Sequence, residues 1–294
     1  MVGEKMNKID LHVHVLPDDA PDDLFSKRSS AKAMLDHSIS LGIQKSVIMS
    51  GGETTSSVGK FATNEEVQKI TQKYPEHYAW MCNLDEKNIE TIHDRLAICK
   101  ANGAIGIGEL MINKRIDHSF LEALFSSAEV LDMPVTIHMS PEEGYKYGVV
   151  DDPGLPLLES LLKRHPRLKI LGHSQTFWIE ISGDAPTDKE RRYNMGKGPV
   201  LPGGRLPELF SKYPNLYGDL SANSAGNAIM RDPEFGLQFL ETYADRLFFA
   251  TDMLTTETVY PLGGWLDEQV ANGNLSQETY NNICYKNAER IFGL

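Results

Sequence analysis

The sequence has few cysteines and a deficit of basic residues, and each shortage excludes a class of protein. Its three cysteines, Cys82, Cys99 and Cys284, are widely separated and odd in number. They form neither a disulfide framework nor a Cys-x-x-Cys metal site. The net charge of −12 argues against an extended nucleic-acid interface and against docking on an anionic membrane surface, but leaves room for a local basic pocket that binds a small anionic substrate. We therefore expect a small-molecule substrate, no nucleic-acid partner and no membrane partner.

Long apolar runs are also missing. No stretch is long enough to cross a bilayer, and the short polar segment from Met1 to Lys8 has no apolar core of the kind that secretory signals carry. The sequence therefore predicts a cytoplasmic protein, in which the cysteines stay reduced and serve as small apolar side chains. A homo-oligomer is compatible with the sequence, which does not determine the oligomeric state.

Strand-like and helix-like segments alternate along the whole chain. Short apolar or β-branched runs predict eight strands, at Ile9–His14, Ser46–Ser50, Tyr78–Leu84, Ala104–Leu110, Val135–Ser140, Lys169–Ser174, Leu216–Ser221 and Leu247–Asp252. Helical periodicity predicts helices at Ala31–Leu41, Asn64–Lys73, Ile89–Ala101, Phe120–Leu131, Leu155–Arg164, Leu206–Lys212, Glu234–Tyr243 and Gln277–Ile291.

This alternation predicts an α/β fold, the closed (β/α)8 TIM barrel. Strict alternation implies a parallel sheet, and eight units close it into a ring. An open doubly wound sheet would have a glycine-rich first turn, whereas the first strand here ends in His12-Val-His14 and an acidic loop. No shift in composition marks a boundary, so we expect residues 1–294 to form one barrel domain. The irregular stretch from Gln175 to Gly204 has the length of a functional loop.

Six potential metal ligands or proton-transfer groups lie at the ends of predicted strands, where barrels of this kind build their active sites. They are His12, His14, Glu109, His138, His173 and Asp252. Residues two apart on a strand point to the same side, so the two imidazoles of His12 and His14 can meet one ion. Imidazole together with carboxylate suits zinc, manganese or ferrous iron, with zinc the leading candidate.

Four strings at these strand ends resemble the amidohydrolase superfamily. They are Asp10-Leu-His-Val-His14, Thr136-Ile-His138, Leu171-Gly-His-Ser174 and Phe249-Ala-Thr-Asp252. They look most like the amidohydrolase-related branch that includes aminocarboxymuconate semialdehyde decarboxylase and related decarboxylases, hydratases and lactonases, and the similarity covers essentially the whole chain in order. The resemblance implies that His12, His14, His138 and Asp252 hold a divalent metal, and that His173 acts on substrate or water.

Glu109 belongs to a further string, Gly106-Ile-Gly-Glu-Leu110, which also resembles the fourth strand of TatD-like barrels. In those barrels the glutamate can bridge two metals, whereas the single-metal branch does not require it. We expect one ion, in which case Glu109 binds substrate or a metal-held water. Two ions stay open, and Glu109 is then a further metal ligand that bridges them, with His138 and His173 helping to hold the second.

The function that follows is a metal-dependent hydrolase acting on a small-molecule amide, ester or lactone through a metal-activated water. Asp252 and His173 are the expected catalytic residues, moving protons and stabilising developing charge. An almost identical site can decarboxylate or hydrate a small unsaturated carboxylic acid, which is the alternative. A TatD-like nuclease is a third reading, disfavoured by the lack of clustered basic residues.

Three residues are predicted to contact the substrate. Trp178 lies in the irregular stretch after the sixth predicted strand, and Arg205 follows that stretch directly. Asn223 lies in the predicted loop Ser221–Asn227. A cationic side chain in such a loop can bind a substrate carboxylate in spite of the acidic total.

Overall fold

The computed structural model describes residues 7–20, 28–54 and 61–294. The first six residues of the polar N-terminal segment, on which the expectation of a cytoplasmic protein partly depends, lie outside the described residues. Among the helices that the structure describes, none is both long and apolar enough to cross a membrane.

The strands coincide with the predicted runs and are generally shorter. The described residues form β1 (Lys8–Val13), β2 (Ile43–Met49), β3 (Tyr78–Met81), β4 (Ile107–Leu110), β5 (Val135–Ser140), β6 (Val149–Val150), β7 (Ile170–His173), β8 (Leu216–Asp219) and β9 (Leu247–Phe248). β6 is a short addition that pairs with the end of β5, and the other eight correspond to the eight predicted strands.

These eight strands form a closed parallel ring. Parallel ladders connect β1, β2 and β3 in one group and β4, β5, β7, β8 and β9 in the other. Backbone hydrogen bonds cross both seams: Cys82 N donates to Gly106 O at 3.0 Å between β3 and β4, and His14 N donates to Met253 O at 3.0 Å between β1 and β9. The predicted (β/α)8 barrel is therefore confirmed.

Helices cover the outside of the ring. They are α1 (Ala31–Ser40), α2 (Asn64–Lys73), α3 (Ile92–Ala101), α4 (Ser119–Val130), α5 (Pro156–Arg164), α6 (Gln175–Trp178), α7 (Lys189–Arg192), α8 (Arg205–Lys212), α9 (Ala222–Met230), α10 (Pro233–Thr242), α11 (Leu262–Ala271), α12 (Gln277–Asn281) and α13 (Asn287–Phe292). Local sequence begins several of them. Thr63 and Glu66 form a reciprocal capping box at α2, and Asp232 caps α10 before Pro233 at its first position.

Two sequence-based assignments are wrong. The predicted loop Ser221–Asn227 lies mostly in α9, and α11 occupies a stretch for which no helix was predicted. Ser, Asn and Gly favour turns locally, but small side chains also let a helix pack closely. A Cβ on Gly263 of α11 would lie 3.1 Å from the ring of Phe249, so glycine there permits close contact with the barrel.

The barrel interior is apolar below the strand ends. One buried cluster contains Ile9, Leu11, Val47, Met49, Met81, Leu171, Tyr217, Phe248 and Ala250, with Phe292 of α13 packed against it. On β1 and β7, and in the segment that follows β9, these apolar residues come before the predicted ligands in sequence. The floor of the barrel is therefore largely hydrophobic, and the predicted ligands lie at the carboxyl ends of the strands.

Candidate metal centre

All six predicted ligands and proton-transfer groups lie at the carboxyl ends of the barrel strands. His12 and His14 belong to the end of β1, and Asp252 follows β9 beside them, donating its backbone N–H to His12 O at 2.7 Å. Glu109, His138 and His173 lie at the ends of β4, β5 and β7. Five of the six residues are buried, and the side chain of Asp252 is 23% exposed. Asp252 therefore faces the opening of the barrel.

The first group of donor atoms has the dimensions of a zinc site. His12 Nε2 lies 3.2 Å from His14 Nε2. These two nitrogens lie 3.3–3.5 Å from Glu109 Oε2 and Asp252 Oδ1. Four atoms placed tetrahedrally about 2.0–2.1 Å from zinc are separated by about 3.3–3.4 Å. Five of the six edges of this tetrahedron are thus close to those that a bound ion requires.

Glu109 also belongs to a second group of donors. Its Oε1 contacts His138 Nδ1 and lies 3.3 Å from His173 Nε2. The two carboxylate oxygens of Glu109 therefore face different histidine pairs. His173 belongs to a third group as well, with His12 and Asp219. The structure places His138 beside Glu109, and its direct role as a ligand stays a prediction.

The charges in the cluster fit a cation. Burial lowers the pKa of His12, but the carboxylates of Asp219 and Asp252 outweigh it and hold that pKa well above its usual value. Burial raises the pKa of Glu109, but His138 and its neighbours outweigh it and hold the pKa well below its usual range. Glu109 thus stays ionised among histidines, and a buried carboxylate of this kind is stabilised by a divalent ion.

Two buried ring nitrogens lack a hydrogen bond, and in each ring it is the other nitrogen that faces the carboxylates. They are His14 Nδ1 and His138 Nε2, which have no partner within the described parts of the chain. The fit to a divalent metal ion therefore depends on the first group of donors, two imidazoles and two carboxylates at the separations that such an ion requires.

Sequence reasoning missed the residues that orient the ligands. Asp219 Oδ2 lies 2.7 Å from His12 Nδ1, and Asp219 Oδ1 accepts the Ser221 backbone N–H at 2.9 Å. A carboxylate on the distal nitrogen of a ligating histidine fixes its ring and tautomer. Asp219 lies near the end of the seventh predicted strand, and that position was the available signal.

Asp10 is the second residue missed, although it begins the Asp-Leu-His-Val-His string. Its carboxylate accepts the Thr251 hydroxyl at 2.6 Å and the backbone N–H groups of Thr251 and His12 at 2.9 and 3.1 Å. Burial raises the pKa of Asp10 to about 7. These bonds fasten the end of β1 to the segment after β9, which sets His12 opposite Asp252.

Aromatic rings flank the cluster on two sides. The Phe61 ring lies 4.7 Å from the His14 ring, and the Tyr147 ring lies 4.4 Å from that of His138. Tyr147 is 37% exposed, so it reaches the opening. The cluster is therefore approached between two flat apolar surfaces.

The three predicted substrate contacts lie in different environments. Trp178 is fully buried, and its indole N–H donates to Asp219 O at 3.1 Å. It therefore contacts the backbone of the residue that orients His12. The Arg205 guanidinium contacts Glu159 and pairs with Glu208 at 2.6 Å, while its Nε donates to Gly154 O. Asn223 is exposed on the first turn of α9, beyond the end of β8. Their roles in substrate binding stay predictions.

Comparison with known proteins identifies a family and a set of similar folds. The amidohydrolase family model matches residues 9–294. Over 98% of this chain and 98% of the other, the structure is similar to 2,6-dihydroxybenzoate decarboxylase from Rhizobium, at 16% identity and a TM-score of 0.63. A zinc-bound amidohydrolase from Burkholderia multivorans has 15% identity and a TM-score of 0.64 over 98% and 100% of the two chains.

A third similar structure is a probable 2-pyrone-4,6-dicarboxylic acid hydrolase from Acinetobacter baumannii with bound citric acid. It has 14% identity and a TM-score of 0.59 over 98% and 100% of the two chains. At these identities the structural matches establish the fold alone. No curated protein matches the chain.

Proposed function

Because the chain belongs to the amidohydrolase family of metal-dependent enzymes, we propose that it hydrolyses a small-molecule amide, ester or lactone with the help of a divalent ion, zinc first among the candidates. The observation that carries the proposal is the tetrahedral spacing of the four donors, with partly exposed Asp252 as the one that faces the cleft. Three of the donors are buried and the fourth is reachable from the cleft. A metal site that water or substrate can reach from one side is suited to catalysis.

The proposed ligands are His12, His14, Glu109 and Asp252, with His138 holding the second oxygen of Glu109. When bound, a divalent ion lowers the pKa of water from about 15.7 toward about 7 and polarises a substrate oxygen. A second ion between Glu109, His138 and His173 is the alternative, favoured by the way the two Glu109 oxygens face different histidines.

Metal stoichiometry distinguishes these alternatives. Wild type and Glu109→Gln are saturated with zinc, freed of excess and measured by elemental analysis. One equivalent in wild type supports the single site. Two equivalents in wild type that fall to one or none in Glu109→Gln would establish a bridging glutamate instead.

Asp252 and His173 are proposed to transfer protons. Asp252 Oδ2 lies 3.8 Å from His173 Nε2, and the other ring nitrogen of His173 is 2.8 Å from Ser221 Oγ. Ser221 therefore fixes the His173 ring with Nε2 toward the cleft. In this proposal Asp252 accepts a proton from water, and His173 stabilises developing negative charge or protonates the leaving group.

Two variants separate binding of the metal from proton transfer. Asp252→Asn is expected to abolish turnover and to keep part of the metal, because His12, His14 and Glu109 remain. His173→Ala is expected to keep nearly full metal occupancy and to lose about 10²–10⁴-fold in rate, the usual contribution of a general acid or base. If His173→Ala empties the site, His173 is a ligand and this assignment is wrong.

Decarboxylation of an unsaturated or aromatic acid is the second candidate function. The flat surfaces of Phe61 and Tyr147 beside the cluster favour a planar substrate. A panel of lactones, esters, amides and aromatic acids, assayed with metal-loaded protein, separates the two functions by product. Carbon dioxide release without hydrolysis of any panel member would overturn the hydrolase proposal.

The same panel tests one proposed substrate contact. Asn223 is exposed at the end of the barrel that carries the cluster, so Asn223→Ala is expected to raise KM with little change in metal content. An unchanged KM would remove Asn223 from the binding site.

A further inference from the structure

One cavity of the described structure is lined by none of the proposed metal ligands. It has a volume of about 560 Å³ and lies between the segment that follows β7 and the end of α9. Ligand pockets for small molecules have volumes of about 300–1,000 Å³. The cavity is therefore large enough for a compact metabolite, and the metal-centred reaction proposed above does not use it.

The charged residues that line this cavity are mostly basic, in a chain whose net charge is −12. They are Arg191, Lys197, Arg231 and one acid, Asp184. Arg191 is already paired with Asp188 at 2.5 Å, outside the lining. Within the described parts of the chain, neither Lys197 nor Arg231 forms an ion pair. Two cations thus face this space without a paired carboxylate.

Arg231 is held in place and keeps donors unused. Its Nη1 donates to Lys197 O at 3.2 Å, while its Nε is buried and has no acceptor within the described residues. A Cβ on Gly196 would lie 2.2 Å from Arg231 Nη1, so glycine at this position makes room for the guanidinium. The backbone at Gly196 and Lys197 therefore packs against the Arg231 guanidinium and fixes its position.

Two nearby carboxylates attract Arg231 without forming an ion pair with it. Both oxygens of Asp232 accept backbone N–H groups, from Val200 at 2.9 Å and from Phe235 at 3.3 Å. Asp184 accepts the Ser182 hydroxyl at 2.5 Å. Burial lowers the pKa of Arg231, and the charges of Asp184 and Asp232 oppose this shift without cancelling it. A half-buried guanidinium of this kind is stabilised by an anion that brings its own acceptor oxygens.

We propose that this cavity binds a small anion carrying a carboxylate or phosphate group, held by Arg231 and Lys197. Arg231 supplies paired N–H donors for the planar or tetrahedral oxygen group, and Lys197 adds a flexible ammonium at the rim. The site is separate from the metal centre and does not depend on the reaction catalysed there.

Calorimetric titration of the zinc-loaded protein tests the proposal, with inorganic phosphate and succinate as probes. We expect saturable binding of at least one probe, and the probe that binds more tightly identifies the anion class. Arg231→Gln is expected to weaken binding about 10-fold or more, equivalent to about 1.4 kcal/mol, and Lys197→Gln to weaken it about 3-fold.

Three controls keep the test decisive. Arg164→Gln removes the same charge from an arginine paired with Glu122 and is expected to leave binding unchanged. The double variant His12→Ala and His14→Ala is expected to keep anion binding, because the metal ligands do not line the cavity. Lys197 is exposed, so Lys197→Gln tests the site even if Arg231→Gln fails to fold.

Several outcomes would overturn the proposal. One is the absence of saturable heat with either probe. A second is wild-type affinity in Lys197→Gln and also in Arg231→Gln, where the latter folds. A third is loss of binding in the double histidine variant. The last outcome would show that the anion binds at the metal.

Discussion

Asp219 illustrates how one buried side chain can influence a metal centre without being a ligand to it. Its carboxylate lies 2.7 Å from His12 Nδ1 and 3.8 Å from His173 Nδ1. It therefore acts on a proposed ligand and on a proposed catalytic residue together. Burial raises the pKa of Asp219, but the charge and hydrogen bond of His12 outweigh it and keep the pKa below its usual value. An ionised Asp219 holds a proton on His12 Nδ1 and leaves Nε2 free for the metal.

The first prediction follows from this contact. Asp219→Asn is expected to lower zinc affinity about 10–100-fold, the usual effect of removing a carboxylate that supports a histidine ligand. Competition with a chromogenic chelator measures the change. Asp94→Asn, on the exposed face of α3, is the matched control and should keep wild-type affinity. Equal affinities in the two variants would mean that Asp219 does not support the ligand.

At the scale of elements, the turn between β5 and β6 forms a wall of the site. Gly148 has a φ of +109°, and a Cβ there would lie 2.7 Å from both Cδ2 and O of His138. Asn113 fastens the same turn by donating to Gly148 O at 3.0 Å. The turn therefore packs directly against His138, and at position 148 only glycine fits.

The second prediction uses two glycines of this turn. Gly148→Ala is expected to destabilise the fold by about 3 kcal/mol and to lower activity, because both backbone strain and the clash with His138 oppose it. Gly144→Ala, with a φ of +77° and no atom within 4 Å of its Cβ, is expected to cost about 1 kcal/mol and to spare activity. Denaturant unfolding and turnover together check both, and equal losses would contradict the proposed contact.

A salt-bridge network connects α5 with α8 on the outside of the barrel. Glu159 contacts Arg205, accepts from Lys212 at 2.5 Å and accepts the Tyr213 hydroxyl at 2.7 Å. Hydrogen bonds from Lys212 and Tyr213, followed by Arg205, lower the pKa of Glu159 to about 2.

The third prediction is the pH dependence of this network. As pH falls below about 4.5 the unfolded chain binds a proton at Glu159 before the folded chain does, so the stabilisation is present above that pH and is lost toward pH 2. Glu159→Gln is expected to cost about 1–2 kcal/mol at pH 7, after allowance for solvent screening, and almost nothing near pH 2. Urea unfolding across this range measures it, with Glu76→Gln, at an exposed position outside the network, as control.

At the scale of the whole molecule, the cluster draws on strands from most of the ring. Its six side chains come from β1, β4, β5, β7 and the segment after β9, so an ion there connects distant parts of the chain. Binding to the folded state alone stabilises it by mass action.

The fourth prediction is the effect of removing the metal. A chelator is expected to lower the thermal unfolding temperature, because about 2.7 kcal/mol of stabilisation disappears when an ion at 100 times its Kd is removed. Added zinc should restore the midpoint. The variant His12→Ala with His14→Ala should not respond to either addition, and a chelator effect of wild-type size in it would place the metal elsewhere.

The sequence predicted the ring of strands and the gathering of six polar side chains at one end. Both depend on local periodicity, since a strand exposes alternate residues and a parallel ring brings all its carboxyl ends together. His12, Glu109 and Asp252 could therefore be placed together without knowing any contact. Asp10 was overlooked because its partner, Thr251, lies 241 residues away in sequence.

Tertiary structure alone determined which metal-donor atoms lie close to one another. The resemblance implies that His138 is a ligand together with His12 and His14, and that role stays a prediction. The structure adds that Glu109 lies within reach of His12 and His14 and also contacts His138. It also turned a Ser- and Asn-rich segment into α9, because burial of Ser224 and Ala225 outweighs a weak local preference for turns. Periodicity along the chain determines which face each residue occupies. Distances between side chains on different strands are set by the packing of the whole barrel, and these distances determine the chemistry.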